Sequence, residues 1–216
     1  MAINWNYYLS RYQQLRGGQF FGAMDDDYDC HLILTEGEQT PILVWIDTDP
    51  VDGCVEHNLL ARTMVQLDGE YDLHIRARSL AGSVAELVGG MEYGHTEATR
   101  GRHITTNDKA RTHRVLQDED LGYGLAACRE SYLKVRPAPR KEEGWHVVEI
   151  ADIDFELSAI GASKWLNDAM GREKAGMPPA EREALLQAAS DHFNAQMDAF
   201  LEFLRAARRA VQAQNG

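Results

Sequence analysis

The alternation of apolar and polar positions predicts a strand-rich region up to about residue 151 and a helical region after it. The clearest strand is EYDLHIRARS, residues 70–79, where two sets of side chains take turns along the chain. One set is Tyr71, Leu73, Ile75 and Ala77, and the other is Asp72, His74, Arg76 and Arg78. Because successive side chains of a strand point to opposite faces, the segment predicts a sheet with one buried and one wet face.

Short turn sequences between apolar segments predict that the strands are joined as hairpins. Three pairs of segments are separated in this way: 28–35 and 41–47, 58–67 and 70–79, and 131–137 and 144–150. The second pair flanks Asp68-Gly69, a dipeptide typical of two-residue hairpin turns. We therefore expect the two members of each pair to be neighbours in an antiparallel sheet.

Helical spacing of apolar residues predicts helices at both ends of the chain and a helical insertion between strands. Two short helices are expected in the middle, the first capped by Asn107 or Asp108 and the second over 118–127. Helices are also expected over 153–170 and from about 180 to 212. The N-terminal stretch forms a further helix with the apolar stripe Trp5, Tyr8, Leu9, Tyr12 and Leu15.

The last helix carries apolar residues three and four positions apart, close to the seam of a coiled coil. These residues are Leu186, Ala189, Phe193, Met197, Phe200, Leu204, Ala207 and Val211. On an isolated surface helix they would expose a large apolar area. We therefore expect an α+β domain over 1–151, mostly antiparallel sheet with covering helices, and a helical arm over 152–216. The arm packs either on this domain or on a second copy.

Composition restricts the partners and the compartment. The chain has 216 residues and a formal net charge of −12, whereas nucleic-acid binding depends on Lys and Arg neutralising phosphates. Nucleic acid is therefore not expected as a partner. Membrane insertion is not expected either, because no apolar run approaches about 20 residues and the N-terminus does not have the pattern of a signal peptide. Three cysteines favour a reducing bacterial-type cytoplasm.

One stretch runs against the acidic composition. Residues 99–116, TRGRHITTNDKARTHRVL, carry five Lys or Arg and a single acid, Asp108. The five are Arg100, Arg102, Lys109, Arg111 and Arg114. On the predicted helix, Thr112 and Val115 face one way and most of the basic residues face away, which favours a solvated surface. The alternative is recognition of an anion or of a partner.

A second candidate is ILVWIDTDPVDG, residues 42–53, where an apolar strand ends in Asp-x-Asp-x-Val. This resembles the first motif of haloacid dehalogenase-type phosphohydrolases. The resemblance implies Asp47 as nucleophile and Asp49 as general acid and base. It also implies a phosphoryl-binding Thr105 or Thr106, a neutralising Lys109 or Lys134, and Mg²⁺ held by acids such as Asp152 and Asp154.

The predicted hairpins disagree with this resemblance, because the chemistry of that family sits at the carboxyl ends of parallel strands joined by helices. The favoured interpretation of the segment is an acidic turn that bends at Pro50 and Gly53. No phosphate loop, dinucleotide fingerprint or hydrolase elbow occurs in the chain.

Metal binding is not expected, although acidic and thiol groups cluster in two places. MDDDYDCH, residues 24–31, and CVEH, residues 54–57, lack the paired half-motifs of zinc sites, and neither acidic loop has calcium-loop spacing. No cofactor is expected. Ligand binding near Trp45 and Trp145 is left open.

Residues 70–150 resemble uncharacterised bacterial domains in which a strand ending in Ser/Thr-Asn-Asp leads into a helix. The matching segments are RARS, ITTND and RVLQDEDLGYGL. The resemblance implies no activity. The preferred expectation is a non-enzymatic interaction or scaffold protein, and the alternative is an Mg²⁺-dependent phosphohydrolase.

Overall fold

The computed structural model describes residues 5–22, 30–35, 40–51, 54–77, 99–128, 131–139, 144–153 and 178–215. Within these ranges the chain forms four helices and one sheet of eight strands. The helices are α1 (Trp5–Arg16), α2 (Lys109–Val115), α3 (Glu119–Ala127) and α4 (Pro179–Gln212). The first four strands are β1 (Gln19–Phe21), β2 (His31–Leu34), β3 (Ile42–Val51) and β4 (Cys54–Gln66). The others are β5 (Leu73–Ala77), β6 (Arg102–Thr106), β7 (Ser131–Pro137) and β8 (Trp145–Asp152).

All neighbouring strands run antiparallel, in the order β1-β2-β3-β4-β8-β7-β5-β6. The α+β class, the antiparallel sheet and the long C-terminal helix are therefore confirmed. The hairpins β2–β3 and β7–β8 are also confirmed. Asp108 and Asp118 cap α2 and α3, since their carboxylates accept from the backbone N–H groups of Arg111 and Leu121.

The hairpin predicted at Asp68-Gly69 is wrong. Gly69 does turn the chain with a φ of 76°, but β4 and β5 are separated in the sheet by β8 and β7. The connection passes the start of β8 instead. Leu67 N donates to Gly144 O at 2.8 Å, and Tyr71 N donates to His146 Nε2 at 3.1 Å.

The shortest connection between paired strands in the described part of the sheet joins β3 and β4. β3 continues past the predicted end at residue 47 as far as Val51, which is paired with Cys54. The two residues between them, Asp52 and Gly53, have the sequence of a two-residue hairpin turn but lie outside the described residues. The Asp-x-Asp segment is therefore part of a long strand and not a loop.

All four helices contribute side chains to one core cluster with the inward-facing strand residues. The predicted seam of α4 is buried there from Ala189 to Val211, and Leu186 is half-buried. α4 packs closely on α3, because a Cβ on Gly124 would overlap the ring of Phe203. These contacts belong to a single chain. Self-association through α4 stays a prediction.

Not every predicted core residue is buried. Trp5, Tyr8, Leu9 and Tyr12 of α1 are buried, but Leu15, in the last turn of the helix, is 57% exposed. The predicted helix over 153–170 lies mostly outside the described residues. No helix in the described part of the chain is long and apolar enough to cross a membrane.

Residues close to the end of α4 hold the connection between β4 and β5. The side chain of Asn215 donates to Gln66 O at 2.7 Å and accepts from Asp68 N at 3.1 Å. Arg111 donates to the same Asn215 oxygen at 3.1 Å and to Asp68 O at 3.0 Å. These side chains provide hydrogen-bond partners for the backbone groups of Gln66, the last residue of β4, and of Asp68 in the connection that follows.

Candidate functional site

The sheet has a second face, opposite the helices, which we call the outer face. Its residues alternate along each strand with those of the core. On β2, β3 and β4 they are His31, Ile33, Leu43, Trp45, Asp47, Asn58, Leu60, Arg62 and Met64. On β8, β7, β5 and β6 they are Val147, Glu149, Ala151, Tyr132, Lys134, Arg136, His74, Arg76, His103 and Thr105.

Positive charge gathers on the β7, β5 and β6 side of the outer face. His74 is paired directly with Lys134 on one side and with Thr105 on the other. Arg76 is paired with His103. The Lys134 side chain makes no hydrogen bond or ion pair with any residue in the described ranges. Side chains directly opposite each other in a sheet are about 5 Å apart, so the charge of Lys134 disfavours a proton on the imidazole of His74.

The pKa of the His74 imidazole reflects these surroundings. Burial, followed by the charges of Lys134 and Arg76 and the nearby His103, lowers the pKa of the His74 imidazole. The ring also meets Tyr132 edge-on, with ring centroids 6.0 Å apart. Burial and the neighbouring charges therefore both favour the neutral form of the imidazole.

Glu149 supplies negative charge in the centre of the face. It is only 8% exposed and lies between Lys134 of β7 and Arg62 of β4 in the cross-strand pairing. Tyr132 Oη donates to Glu149 Oε1 at 3.0 Å, and Arg136 Nη2 lies 3.8 Å from Glu149 Oε2. Burial and the Glu149 carboxylate raise the pKa of Tyr132.

Apolar side chains occupy the β2, β3 and β4 side of the outer face. Ile33, Leu43, Trp45 and Leu60 are half-buried and Met64 is 37% exposed. None of them belongs to the core cluster. The guanidinium of Arg62 lies over the ring of Trp45, 5.0 Å from its centroid. One face of the sheet thus joins an apolar half to a cationic half.

The structure does not bring the basic stretch 99–116 together as one patch. Arg102 is 7% exposed and donates to three carbonyls, Ser131 O at 2.7 Å, Leu125 O at 2.6 Å and Cys128 O at 2.7 Å. It closes the end of α3 against β7. Arg111 is 5% exposed, lies over the ring of Tyr71 and holds the β4–β5 connection.

The solvated interpretation therefore needs correction for Arg102 and Arg111, which are structural. It fits the other three: Arg100, Lys109 and Arg114 are exposed, and Arg114 Nε donates to Gln214 Oε1 at 2.8 Å. Thr112 and Val115 are buried, as the apolar stripe of α2 predicts.

The residues implied by the phosphohydrolase resemblance are spread across the sheet. Asp47 and Asp49 lie on β3 opposite Asn58 and Glu56 of an antiparallel partner. The Asp47 side chain is exposed, and that of Asp49 lies outside the described ones. β3 is flanked by antiparallel strands on both sides, so the described residues offer no parallel cleft.

Distance separates the acids from the other implied groups. Lys134 on β7 is three strand spacings from β3, about 14 Å, and Thr105 and Thr106 on β6 are five spacings away, about 24 Å. Lys109 begins α2. Asp152 pairs with Leu59 and so falls on the core side of β8. Asp154 lies outside the described residues.

The other sequence candidates are described only in part. Asp25, Asp26, Asp27 and Asp29 lie outside the described residues, as does the side chain of Cys54. His57 accepts a hydrogen bond from Trp5 Nε1 at 3.0 Å. Among the described residues no three His, Cys, Asp or Glu side chains are grouped to hold a metal ion.

Trp45 and Trp145 lie far apart on the sheet. Trp45 pairs with Leu60 and Trp145 with Gln66. These positions are six residues apart on β4, a distance of about 20 Å. One small ligand does not span this distance, so binding near either ring stays a separate prediction.

Sequence reasoning missed Lys134, Arg136 and His103 as members of one surface. A signal was present, because SYLKVRP alternates Tyr132, Lys134 and Arg136 with buried residues. Alternation shows which residues share a face of one strand, but it does not show which strands are neighbours. The insertion of β7 beside β5 creates the cluster.

No protein-family model matches the chain, and comparisons with curated proteins and with solved structures find no match either. The resemblances stated for residues 42–53 and 70–150 therefore stay predictions. Function has to be argued from the outer face itself.

Proposed function

We propose that the protein is a non-enzymatic interaction module that docks an acidic, amphipathic segment of a partner protein on its outer face. The observation that carries the proposal is the charge of this face. The chain has a net charge of −12, but among the outer-face side chains that the structure describes four are Lys or Arg and two are acids. The four are Arg62, Arg76, Lys134 and Arg136, and the acids are Asp47 and Glu149.

Charge complementarity selects the polar side of the partner. The described Lys and Arg side chains of the outer face attract acidic segments and repel basic ones. Lys134, with no ion pair in the described ranges, and Arg136, held to Glu149 across 3.8 Å, are available to carboxylates. The neighbouring His74 becomes a further donor when a bound anion favours its protonation.

The apolar half selects the other side of the partner. Across β3 and β4, Leu43 pairs with Arg62 and Trp45 pairs with Leu60. Met64 adds an adaptable side chain at the same surface. Aromatic and Arg side chains are the residue types that contribute most at protein interfaces. A partner helix with one acidic and one apolar edge would cover both halves.

Fluorescence anisotropy tests this proposal with a labelled amphipathic peptide of Leu, Ala and Glu and a matched peptide in which Lys replaces Glu. We expect only the acidic peptide to bind, with affinity falling as salt rises. Charge reversal by Arg62→Glu should weaken binding at least about tenfold. Lys109→Glu, an exposed lysine of α2, is the matched control and should have little effect.

Other occupants give different results in the same assay. Binding of a single-stranded oligonucleotide in preference to the acidic peptide would replace the proposed partner class. Equal binding of both peptides would contradict the charge argument. Light scattering tests self-association, and an Arg62-dependent dimer would make a second copy the occupant.

We also propose the reducing cytoplasm as the compartment. The side chain of Cys30 is buried, and burial raises the pKa of the Cys128 thiol to about 11. Thiols in such surroundings are poorly reactive.

A further inference from the structure

A pocket opens at the edge of the outer face where β5 begins and β6 and β7 end. Its volume is about 350 Å³. The polar groups that line it include His74, Thr105, Asn107, Lys134, Arg136 and Asp72. It forms because Thr106 and Asn107 fold back onto β5: Thr106 Oγ1 donates to Asp72 O at 2.8 Å, and Asp72 N donates to Asn107 Oδ1 at 2.9 Å.

Several donors of this pocket have no acceptor in the described part of the chain. The Lys134 side chain makes no hydrogen bond or ion pair there. Arg136 Nε is shielded from solvent and has no hydrogen-bond partner. The Thr105 hydroxyl, on the strand beside His74, is exposed and makes no hydrogen bond with a described residue. A buried donor without an acceptor is unfavourable, so a bound acceptor would stabilise Arg136 Nε.

We infer that this pocket binds a phosphate monoester group, held by Lys134, Arg136, His74 and Thr105. The inference rests on the proposed function, because the docked segment is taken to lie across the outer face. The phosphoryl group would then anchor one end of that segment in the pocket. A free phosphate ester and a phosphorylated side chain share this chemistry. The pocket volume exceeds that of the group itself and leaves space for what is attached to it.

Charge and donor number favour phosphate over carboxylate. A phosphate monoester carries a charge of about −1.5 to −2 at pH 7 and three acceptor oxygens. The pocket supplies an ammonium, a guanidinium, an imidazole and a hydroxyl from three different strands. Two carboxylates oppose this charge, Asp72 at the rim and Glu149 beside Arg136. A singly charged, two-oxygen ligand would leave donors unmatched.

Binding is coupled to a proton on His74. The groups that face His74 are Lys134 and Tyr132 from β7, Thr105 and His103 from β6, and Arg76 and Asp72 from its own strand. A dianion among these groups favours the imidazolium. Proton uptake therefore accompanies binding, and the NMR titration of the His74 ring moves to higher pH when phosphate is present.

Calorimetry with phenyl phosphate on the full chain tests the site. We expect binding to the wild type and a loss of at least about tenfold in Lys134→Ala, while Lys109→Ala binds like the wild type. Thr105→Val should weaken binding less. Circular dichroism and thermal unfolding of each variant show whether it is folded. Unchanged affinity in a folded Lys134→Ala variant overturns the inference.

Binding of two peptides distinguishes a phosphorylated protein segment from a free phosphate ester as the natural ligand. An acidic peptide with one phosphoserine is compared with its serine form, each against wild type, Lys134→Ala and Met64→Glu. A phosphorylated segment is the source if phosphoserine strengthens binding in the wild type but not in Lys134→Ala. A free ester is the source if only phenyl phosphate binds. Binding of neither phosphate probe contradicts the inference.

Failure of the docking proposal gives a different pattern. If Met64→Glu leaves the binding of the serine peptide unchanged, the apolar half takes no part and docking across the outer face is wrong. Phenyl phosphate would still bind at Lys134 in that case. If the serine peptide depends on Met64 and phenyl phosphate does not bind, docking stands and the phosphate site is excluded.

Discussion

The two faces of the sheet are built from the same strands and differ in almost every property. On β7, Leu133 and Val135 are buried in the core, while Tyr132, Lys134 and Arg136 alternate with them on the outer face. The core face gains stability from apolar contact with four helices. The outer face keeps charges at close range, which costs stability. Residues that cost stability without structural gain point to binding.

The two faces also differ in the contacts that they offer to an arginine side chain. Arg102 is enclosed by three carbonyls close to the core, whereas Arg62 lies over an aromatic ring on the outer face. The first is fixed by its acceptors and cannot bind a partner. The second keeps donors for an incoming group. Charge in the sequence therefore has no single meaning until its acceptors are known.

The largest effect is expected from truncating the core. Phe203 is fully buried and packs over Gly124 of α3, so Phe203→Ala would open a cavity between α3 and α4. We expect a loss of about 3–5 kcal/mol in the free energy of unfolding by urea. Met64→Ala on the outer face should cost less than about 1 kcal/mol. Equal losses would mean that the faces do not differ as described.

The next effect separates two arginines that stand two positions apart. Arg102→Met leaves three carbonyls without their charged donor and should cost about 2–4 kcal/mol. Arg100→Met, at an exposed position, should change stability by less than about 0.5 kcal/mol. Urea unfolding of both variants measures the difference. A mild Arg102→Met variant would contradict the structural role of this residue.

A smaller effect concerns pH. Burial and neighbouring cations lower the pKa of His74 in the folded protein, so the folded state binds fewer protons than the unfolded state near the ordinary His pKa of about 6.5. Stability is then highest above this pH and falls as the pH drops through it. His74→Gln should flatten the decline between about pH 7.5 and 5.5.

His192 of α4 provides the comparison for this prediction. Burial lowers the pKa of His192 too, so His192 also makes the protein less stable as the pH falls. In this case burial acts alone, whereas neighbouring cations add to it at His74. Thermal unfolding over pH should therefore keep part of the slope in His74→Gln. If His74→Gln and wild type show identical slopes, the burial of His74 and the cations beside it have no measurable effect on stability.

The smallest effect tests the phosphohydrolase alternative. Asp47 lies about 14 Å or more from the implied lysine on β7, so we expect no turnover of p-nitrophenyl phosphate with Mg²⁺. Asp47→Asn should behave like the wild type. Turnover that disappears in the variant would show an active centre on β3 and would remove the reason for proposing a docking surface.

The individual elements of the fold follow from local pattern, and the strand order does not. Alternation over 70–79 and the spacing in α4 depend on neighbouring residues, which the sequence displays directly. Two Asp-Gly dipeptides were available. The one at 52–53 stands between the directly paired strands β3 and β4, and the one at 68–69 leads past β8. The two dipeptides have different outcomes because β8, from the β7–β8 hairpin far along the chain, pairs with the edge of β4 that β5 would otherwise occupy.

The candidate site was predictable only in part for the same reason. The wet side of β5, with His74 and Arg76, is visible in the sequence. Its charged neighbours come from β6 and β7, about 30 and 60 residues later. The basic stretch at 99–116 misled because local charge density does not reveal that Arg102 and Arg111 have backbone carbonyls as acceptors.

The position of β8 has a consequence for synthesis of the chain. β4 leaves the ribosome long before its partner, since Leu59 pairs with Asp152. Until that strand emerges, β4 and β7 present hydrogen-bonding edges that invite pairing with other nascent chains. Such long sequence separation also slows folding. A chaperone that holds the growing polypeptide until β8 has been made would raise the yield of native protein, and dilute expression at low temperature should do the same.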